Sequence, residues 1–233
     1  ISAVVVKKLK AERNLIDIDL PLLFLSTVLL LLVIADRVVT FSEAIILLVG
    51  YVVYLFYAYN SGKQKKEVKE AKEQLVRKTR RRPKIDLTSV LLIFVSIGVI
   101  YASADYTVRA IIEIAAFINI STSAIAITAI AIGTSLPELV ISLRAAMKGK
   151  HDLAIGNIMG SSIFNVLMVV GIPALIVPLV VDDLMWKIGV PFLMVATLTF
   201  IFSGITRRIY RWEGAMYLVV YALFLLQIFT FSS

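Results

Sequence analysis

The sequence predicts an all-α polytopic membrane protein with seven transmembrane helices, and three observations carry that prediction. The chain is 60% hydrophobic, with only 17% charged residues and a mean hydropathy of +0.92, whereas soluble domains carry about 25% charged residues. Its apolar residues come in long unbroken runs, not in the stripes of amphipathic core helices. Residues 20–35, 44–59, 87–104, 114–137, 153–181, 188–206 and 214–233 each lack Asp, Glu, Lys and Arg. A helix needs roughly 17–25 apolar residues to cross a bilayer, so each run is one span, the two shortest with help from flanking residues.

The third observation is where the net charge of +8 lies. Residues 61–85, SGKQKKEVKEAKEQLVRKTRRRPKI, hold eleven Lys or Arg against three Glu. With this segment on the cytoplasmic side, alternation of the spans puts Lys7, Lys8, Lys10 and Arg13 inside as well. Arg144, Lys148, Lys150, Arg207, Arg208 and Arg211 follow them, leaving only Arg37, Arg109 and Lys187 of the 24 basic residues near the outer ends. The positive-inside rule is met throughout, and Asp182 and Asp183 fall outside. With no cysteine, disulfides and thiolate metal sites are excluded. Residues 1–18 do not read as a signal peptide, and the chain starts with Ile, so a preceding segment is expected.

The first two spans, 20–35 and 44–59, have a copy further along. Shifted by 170 residues, Pro21 meets Pro191, Arg37 meets Arg207, Glu43 meets Glu213 and Tyr51 meets Tyr221, all in one gapless register. Glu43 lies at the outer end of its helix and Glu213 at the inner end of its own, so the copies are inverted. Inverted repeats with broken helices mark secondary transporters. The same offset sets residue 1 against Gly171, so the copy of residues 86–170 belongs upstream. The expected organisation is 1–60 as the last two helices of a first repeat, 61–85 as a basic cytoplasmic loop, and 86–233 as a complete second five-helix repeat. The i,i+4 charges of the loop suggest a partly helical, solvated segment with anionic lipid as a possible contact.

The span after the loop carries Asp105, Arg109 and Glu113 four apart, a self-neutralising stripe near its outer end. The following helix, taken as Ser123 to Met147, contains AIAIGTSLPELVIS. Glu138 is about 22 Å along it at 1.5 Å per residue, near the middle of a roughly 30 Å hydrocarbon core. A charge there costs about 3 kcal/mol or more unless it faces a partner or water. Pro137 has no N–H, so the Gly133 carbonyl loses its helical donor and needs another partner within the protein. Thr134 and Ser135 add hydroxyls one turn away. A freed carbonyl, two hydroxyls and a carboxylate are hard oxygen donors, the set that Ca2+ takes, and Na+ by the same logic.

The next span, LAIGNIMGSSIFNVLMVVG, places Asn157, Ser161 and Asn165 on one face. Gly156 and Gly160 are expected to let it approach the Pro137 helix closely. The short 147–152 connection makes the two antiparallel neighbours, with Ser161 and Asn165 near the depth of Glu138. His151, the only histidine, is expected in the solvated inner turn.

GTSLPE at 133–138 followed by GNIMGSSIFN at 156–165 resembles the second alpha-repeat of the sodium/calcium exchanger family, within the cation/calcium exchanger superfamily. The resemblance extends to the closing RWEGAMYLVVYALFLL. It implies a ten-helix antiporter of two inverted halves, not an enzyme, that exchanges Na+ for Ca2+ by alternating access at mid-membrane. Carried over, Glu138 is the main acidic ligand of this half, Thr134 supplies mainly backbone oxygen, and Ser135, Ser161 and Asn165 supply side-chain oxygens. The implied partners are the two ions, membrane lipids and the missing N-terminal half, with no cofactor and no nucleic acid; the implied host is the plasma membrane. Ser162 departs from the usual Asn, and neutral Asn165 leaves the half with one carboxylate. Two rival readings are a H+/Ca2+ exchanger and a non-transporting membrane scaffold of the same fold.

Overall fold

The computed structural model describes residues 1–6, 8–10, 19–73 and 122–232, with single helical positions at 91, 92, 95, 99, 103, 106, 109, 110, 113 and 117. In chain order the elements are α1 (Ser2–Val6), β1 (Lys8–Lys10), α2 (Leu20–Val33), β2 (Val38–Val39), α3 (Phe41–Glu73), α4 (Thr122–Met147) and α5 (His151–Phe164). A π-helical turn, Asn165–Val169, joins α5 to α6 (Val170–Ala174), and β3 (Leu179–Val180) follows. A second such turn, Met185–Gly189, leads into α7 (Val190–Ile205), then β4 (Arg208–Tyr210) and α8 (Arg211–Ser232). This is an all-α membrane architecture with two short strand pairs at the helix ends.

Among the described residues, four helices are long and apolar enough to cross a membrane, at Phe41–Asn60, His151–Ala174, Met185–Ile205 and Arg211–Phe231. Leu20–Val33 is a shorter apolar helix. Of the expected span 114–137, the described continuous part is the helix Thr122–Met147, which runs straight through Pro137. The span 87–104 lies almost wholly outside the described residues. So does Asp105, whereas Arg109 and Glu113 are helical and exposed. The start of the basic segment continues α3 as far as Glu73.

Contacts divide the chain into two compact units, residues 1–55 with 130–233, and residues 56–129. The first unit contains the repeat. Within it, Leu9 pairs with Ile209 and Leu179 with Val39, and a shift of 170 converts one pairing into the other. Arg37 and Arg207 are the described non-glycine residues with positive φ, at 68° and 58°. Each donates its N–H three residues back, Arg37 to the Ile34 carbonyl at 2.9 Å and Arg207 to the Gly204 carbonyl at 2.8 Å. Glu43 Oε2 accepts the Thr40 N–H at 2.8 Å, and Glu213 Oε2 accepts the Tyr210 N–H at 2.6 Å. In each copy a carboxylate in the first helical turn satisfies a backbone N–H just before the helix. The conserved spacing of Arg and Glu in the two halves thus reflects one turn built twice.

The copies are inverted because α2 and α7 run antiparallel. The start of α2, at Leu20, lies against the end of α7, where a Cβ on Gly204 would overlap the Leu20 side chain. The β1–β4 pair therefore sits at one end of this unit and β2–β3 at the other. The core uses Leu20, Leu23, Leu30, Leu47, Met159 and Ile163, while Leu32, Phe202 and Leu226 face outward and are more than 60% exposed. Such outward apolar surface suits lipid as solvent. The hydroxyls of Ser26 and Thr27 both donate to the Leu23 carbonyl at 2.9 Å, so neither is left unsatisfied in apolar surroundings.

At the β2–β3 end, Arg37 Nη1 lies 2.6 Å from Asp183 Oδ1, and Lys187 Nζ 3.2 Å from Oδ2. Asp182 Oδ1 accepts the Met185 N–H at 2.8 Å, opening the helix that follows. The acidic pair is therefore a structural lock between the two copies and not a free cation trap. Lys187 and Arg37 hold the Asp183 carboxyl below the usual carboxylate range. A depressed folded-state pKa stabilises above the unfolded pKa, near 4, and that gain is lost as pH falls through the folded value. Asp183→Asn is expected to melt slightly below wild type at pH 6 in detergent, with the gap narrowing as the pH is taken below about 4.

Candidate functional site

The candidate site is the α4–α5 hairpin. α4 ends where Gly149, at φ +72°, lets the chain reverse. The Gly149 N–H reaches the Ala146 carbonyl at 3.0 Å, and the Lys150 N–H reaches the Ala145 carbonyl at 2.9 Å, the paired bonds of a Schellman cap. Helix resumes at His151, so α4 and α5 run antiparallel from a three-residue turn. A Cβ on Gly149 would meet no atom within 4 Å, so the cost of a side chain there is that of the left-handed backbone. Gly149→Ala is expected to lower stability by about 1 kcal/mol, read as a depressed melting temperature.

Polar bonds fix how the two helices meet. Asn157 Nδ2 donates to Ser142 Oγ at 3.0 Å and to the Glu138 carbonyl at 3.3 Å. Ser142 Oγ in turn donates to the Ala154 carbonyl at 3.4 Å, and Ser142 is only 2% exposed. Counting outward from Met147 and His151 at 1.5 Å per residue, Asn157 is level with Ile141, between Ser142 and the Glu138 carbonyl, Ser161 is level with Pro137 beside Glu138, and Asn165 lies about a turn beyond. The sequence expectation set Ser161 and Asn165 at the depth of Glu138. By this count Ser161 keeps that depth, Asn165 lies a turn further out, and Asn157 sits nearly a turn closer to the Gly149 turn.

Gly133, Thr134, Ser135, Leu136 and Pro137 are all exposed along α4, and Glu138 is half-buried. Glu138 Oε2 is itself buried and has no hydrogen-bond partner among the described residues. The hydroxyls of Ser161 and Ser162 both donate to the Ile158 carbonyl, at 3.1 Å and 2.8 Å. Their protons are thereby occupied and their lone pairs remain available to a cation. Asn165 is exposed and opens the π-helical turn, a distortion frequent at functional sites. No group of three or more His, Asp or Glu side chains gathers around a point among the described residues. The donors here are one carboxylate together with neutral oxygens.

Sequence reasoning missed Ser142, although its i+4 spacing from Glu138 was a usable signal. It also misassigned Gly160. That glycine does not serve the α4–α5 contact; the Tyr54 hydroxyl of α3 lies 3.3 Å from where its Cβ would be. His151 was expected in a solvated turn, yet its Nδ1 is buried without a hydrogen-bond partner, because it opens α5 instead of preceding it.

The other face of α5 rests on α3. Tyr51 meets Phe164 edge to face at 5.7 Å, and Gly50 faces Leu167. A shift of 170 carries Gly50, Tyr51 and Tyr54 onto Val220, Tyr221 and Phe224 of α8. Those three residues line an apolar cavity of about 500 Å³, which also holds Ser162 and the equivalent pair Thr27 and Thr197 on its walls.

The profile of a family described as sodium/calcium exchanger protein matches residues 88–230. The chain belongs to the sodium/calcium exchanger family. It is 33% identical over 207 residues to the putative antiporter CaxA of Alkalimonas amylolytica, covering 87% of this chain and 65% of that protein. Sodium/calcium exchanger MaX1 of Methanosarcina acetivorans is 33% identical over 141 residues, 60% of this chain and 40% of that one. A solved structure of the sodium-calcium exchanger NCX_Mj superposes with a TM-score of 0.66 at 25% identity, covering 95% of this chain and 68% of that one. This member of the family thus spans about two thirds or less of the curated relatives' lengths. It shares the exchanger fold across nearly its whole extent.

Proposed function

We propose that this chain is part of a secondary antiporter that moves Ca2+ against Na+ by alternating access, and that it supplies one half of a mid-membrane ion site. The observation that carries this reading is the buried, unpartnered Oε2 of Glu138, one residue after a proline in a membrane helix. A carboxylate in that setting costs about 3 kcal/mol unless something offsets it, and a cation does so directly. Glu138 is the acidic ligand, the Thr134 backbone and Ser135 hydroxyl lie on its helix, and Ser161 and Asn165 face them from α5. Asn157 and Ser142 tie the two helices together and set the direction of the Glu138 peptide.

The domain assignment follows from the same reading. Residues 1–60 end a first repeat, 61–85 form a cytoplasmic loop and 86–233 form the second repeat, with the β1–β4 end inside and the plasma membrane as host. The cavity beside Tyr221 and Phe224 is the seat for the first repeat's counterpart of α5. It has the walls that α3 offers α5, and the greater length of the relatives leaves chain to fill it.

The test is Ca2+ uptake into proteoliposomes holding the full-length protein. An outward Na+ gradient is compared with an imposed pH gradient. Uptake that follows Na+ supports the reading; uptake that follows pH alone moves the protein to H+/Ca2+ exchange. Absence of flux under both gradients, from folded protein, favours the scaffold.

A further inference from the structure

The two strand ladders are equivalent by the repeat but opposite in charge balance. At the β2–β3 end Arg37 is held by Asp183, which also holds Lys187. At the β1–β4 end the register sets Lys10 opposite Arg208 and Lys8 opposite Tyr210. Two more cations flank Arg208: Arg207 precedes β4 and Arg211 follows it. Among the described residues none of these three arginines meets a carboxylate. Glu213, the nearest acid in sequence, is already engaged by the Tyr210 N–H and the Ser203 hydroxyl, at 2.6 Å and 3.1 Å.

The ribbon also has a definite outward face. Leu9 and Ile209 are buried in the core at 3% and 5% exposure, so Arg208 and Tyr210 lie on the opposite side by strand alternation. Lys8 Nζ sits 5.2 Å from the centre of the Tyr210 ring. Trp212 is 80% exposed in the first turn of α8, where the apolar span Arg211–Phe231 begins. Exposed cations therefore stand beside an exposed Trp and Tyr, at the start of a helix long enough to cross the bilayer.

We propose that the β1–β4 ladder, through Arg207, Arg208 and Arg211 with Trp212 beside them, binds the headgroup of an anionic phospholipid. Guanidinium groups pair with phosphate oxygens in fixed two-point geometry, and Trp settles at the headgroup level. The lipid supplies the negative charge that Asp183 supplies at the other ladder. A free phosphate would not use Trp212 or the neighbouring span, so the occupant is the lipid. The inference depends neither on the ion carried nor on which end faces the cytoplasm.

Native mass spectrometry of the full-length protein, taken from mixed phosphatidylcholine and phosphatidylglycerol, reads the retained phosphatidylglycerol directly. The variant R207Q/R208Q/R211Q is expected to bind it at least about tenfold more weakly, since each basic residue near an anionic surface counts for roughly fivefold. R207K/R208K/R211K keeps most of the binding, Arg37→Gln at the other ladder keeps all of it, and millimolar inorganic phosphate does not displace the lipid. Wild-type retention in the triple Gln variant, or displacement by inorganic phosphate, overturns the proposal. If the triple Gln variant does not fold, Trp212→Ala decides: a severalfold loss supports the proposal and unchanged retention overturns it.

Discussion

Replacing Glu138 with Gln in the full-length exchanger is expected to lower Na+-driven Ca2+ uptake by at least about a hundredfold while leaving the protein no less stable. A hundredfold corresponds to about 2.7 kcal/mol, a modest figure for the one acidic ligand proposed for this half of the site. Stability should move the other way. The buried Oε2 has no hydrogen-bond partner among the described residues, and a neutral amide at mid-membrane escapes a charge penalty of about 3 kcal/mol. The ion-free variant therefore melts at or above the wild-type temperature. Added Ca2+ stabilises wild type by mass action and leaves Glu138→Gln unmoved. Uptake retained in the variant would sink the assignment of Glu138, whatever the coupling ion proves to be.

The second large effect is expected at Asn157. Truncation to Ala removes the amide that serves Ser142 Oγ and the Glu138 carbonyl together, leaving two polar groups short of a donor between apolar helices. That costs about 1–3 kcal/mol and frees the Glu138 peptide to turn. Melting temperature and uptake should both fall, uptake by about tenfold through misplacement of a carboxylate that is still present. A double-mutant cycle with Ser142→Ala checks the mechanism. Residues sharing a hydrogen bond couple by about 0.5–3 kcal/mol, so additive effects would show that Asn157 acts elsewhere.

Much of the architecture was legible because membrane insertion reads composition. Unbroken apolar runs located α2, α3, the α5–α6 rod, α7 and α8, and the Arg and Glu spacing located the repeat. What the spacing could not say was why those residues recur. Arg37 and Arg207 sit at a left-handed turn and Glu43 and Glu213 close the following helix, so both pairs serve the backbone. Pro137 was legible as a lost donor and Glu138 as a costly charge. The bonds between α5 and α4 were not, because which side chains meet across a hairpin depends on how each helix is rotated as well as on depth. That rotation turns Asn157 toward Ser142 Oγ and the Glu138 carbonyl. Gly160 was misread for a related reason: a small residue on a helix marks a close approach without saying which neighbour makes it, and here the neighbour is Tyr54.

The sequence by itself determined that this chain lives in a membrane, that it contains an inverted repeat, and that Glu138 beside Pro137 is its most costly polar feature. Those are statements about hydrophobicity, charge and missing N–H groups, and they hold whatever the helices pack against. Only the tertiary structure decided that Asn157 and Ser142 join the hairpin, that Asp183 locks one strand ladder, and that the arginines of the other meet no carboxylate among the described residues. Such decisions rest on distances between residues far apart in the chain, set by helix ends and turn closure to within a single turn, and periodicity along one helix carries no record of them.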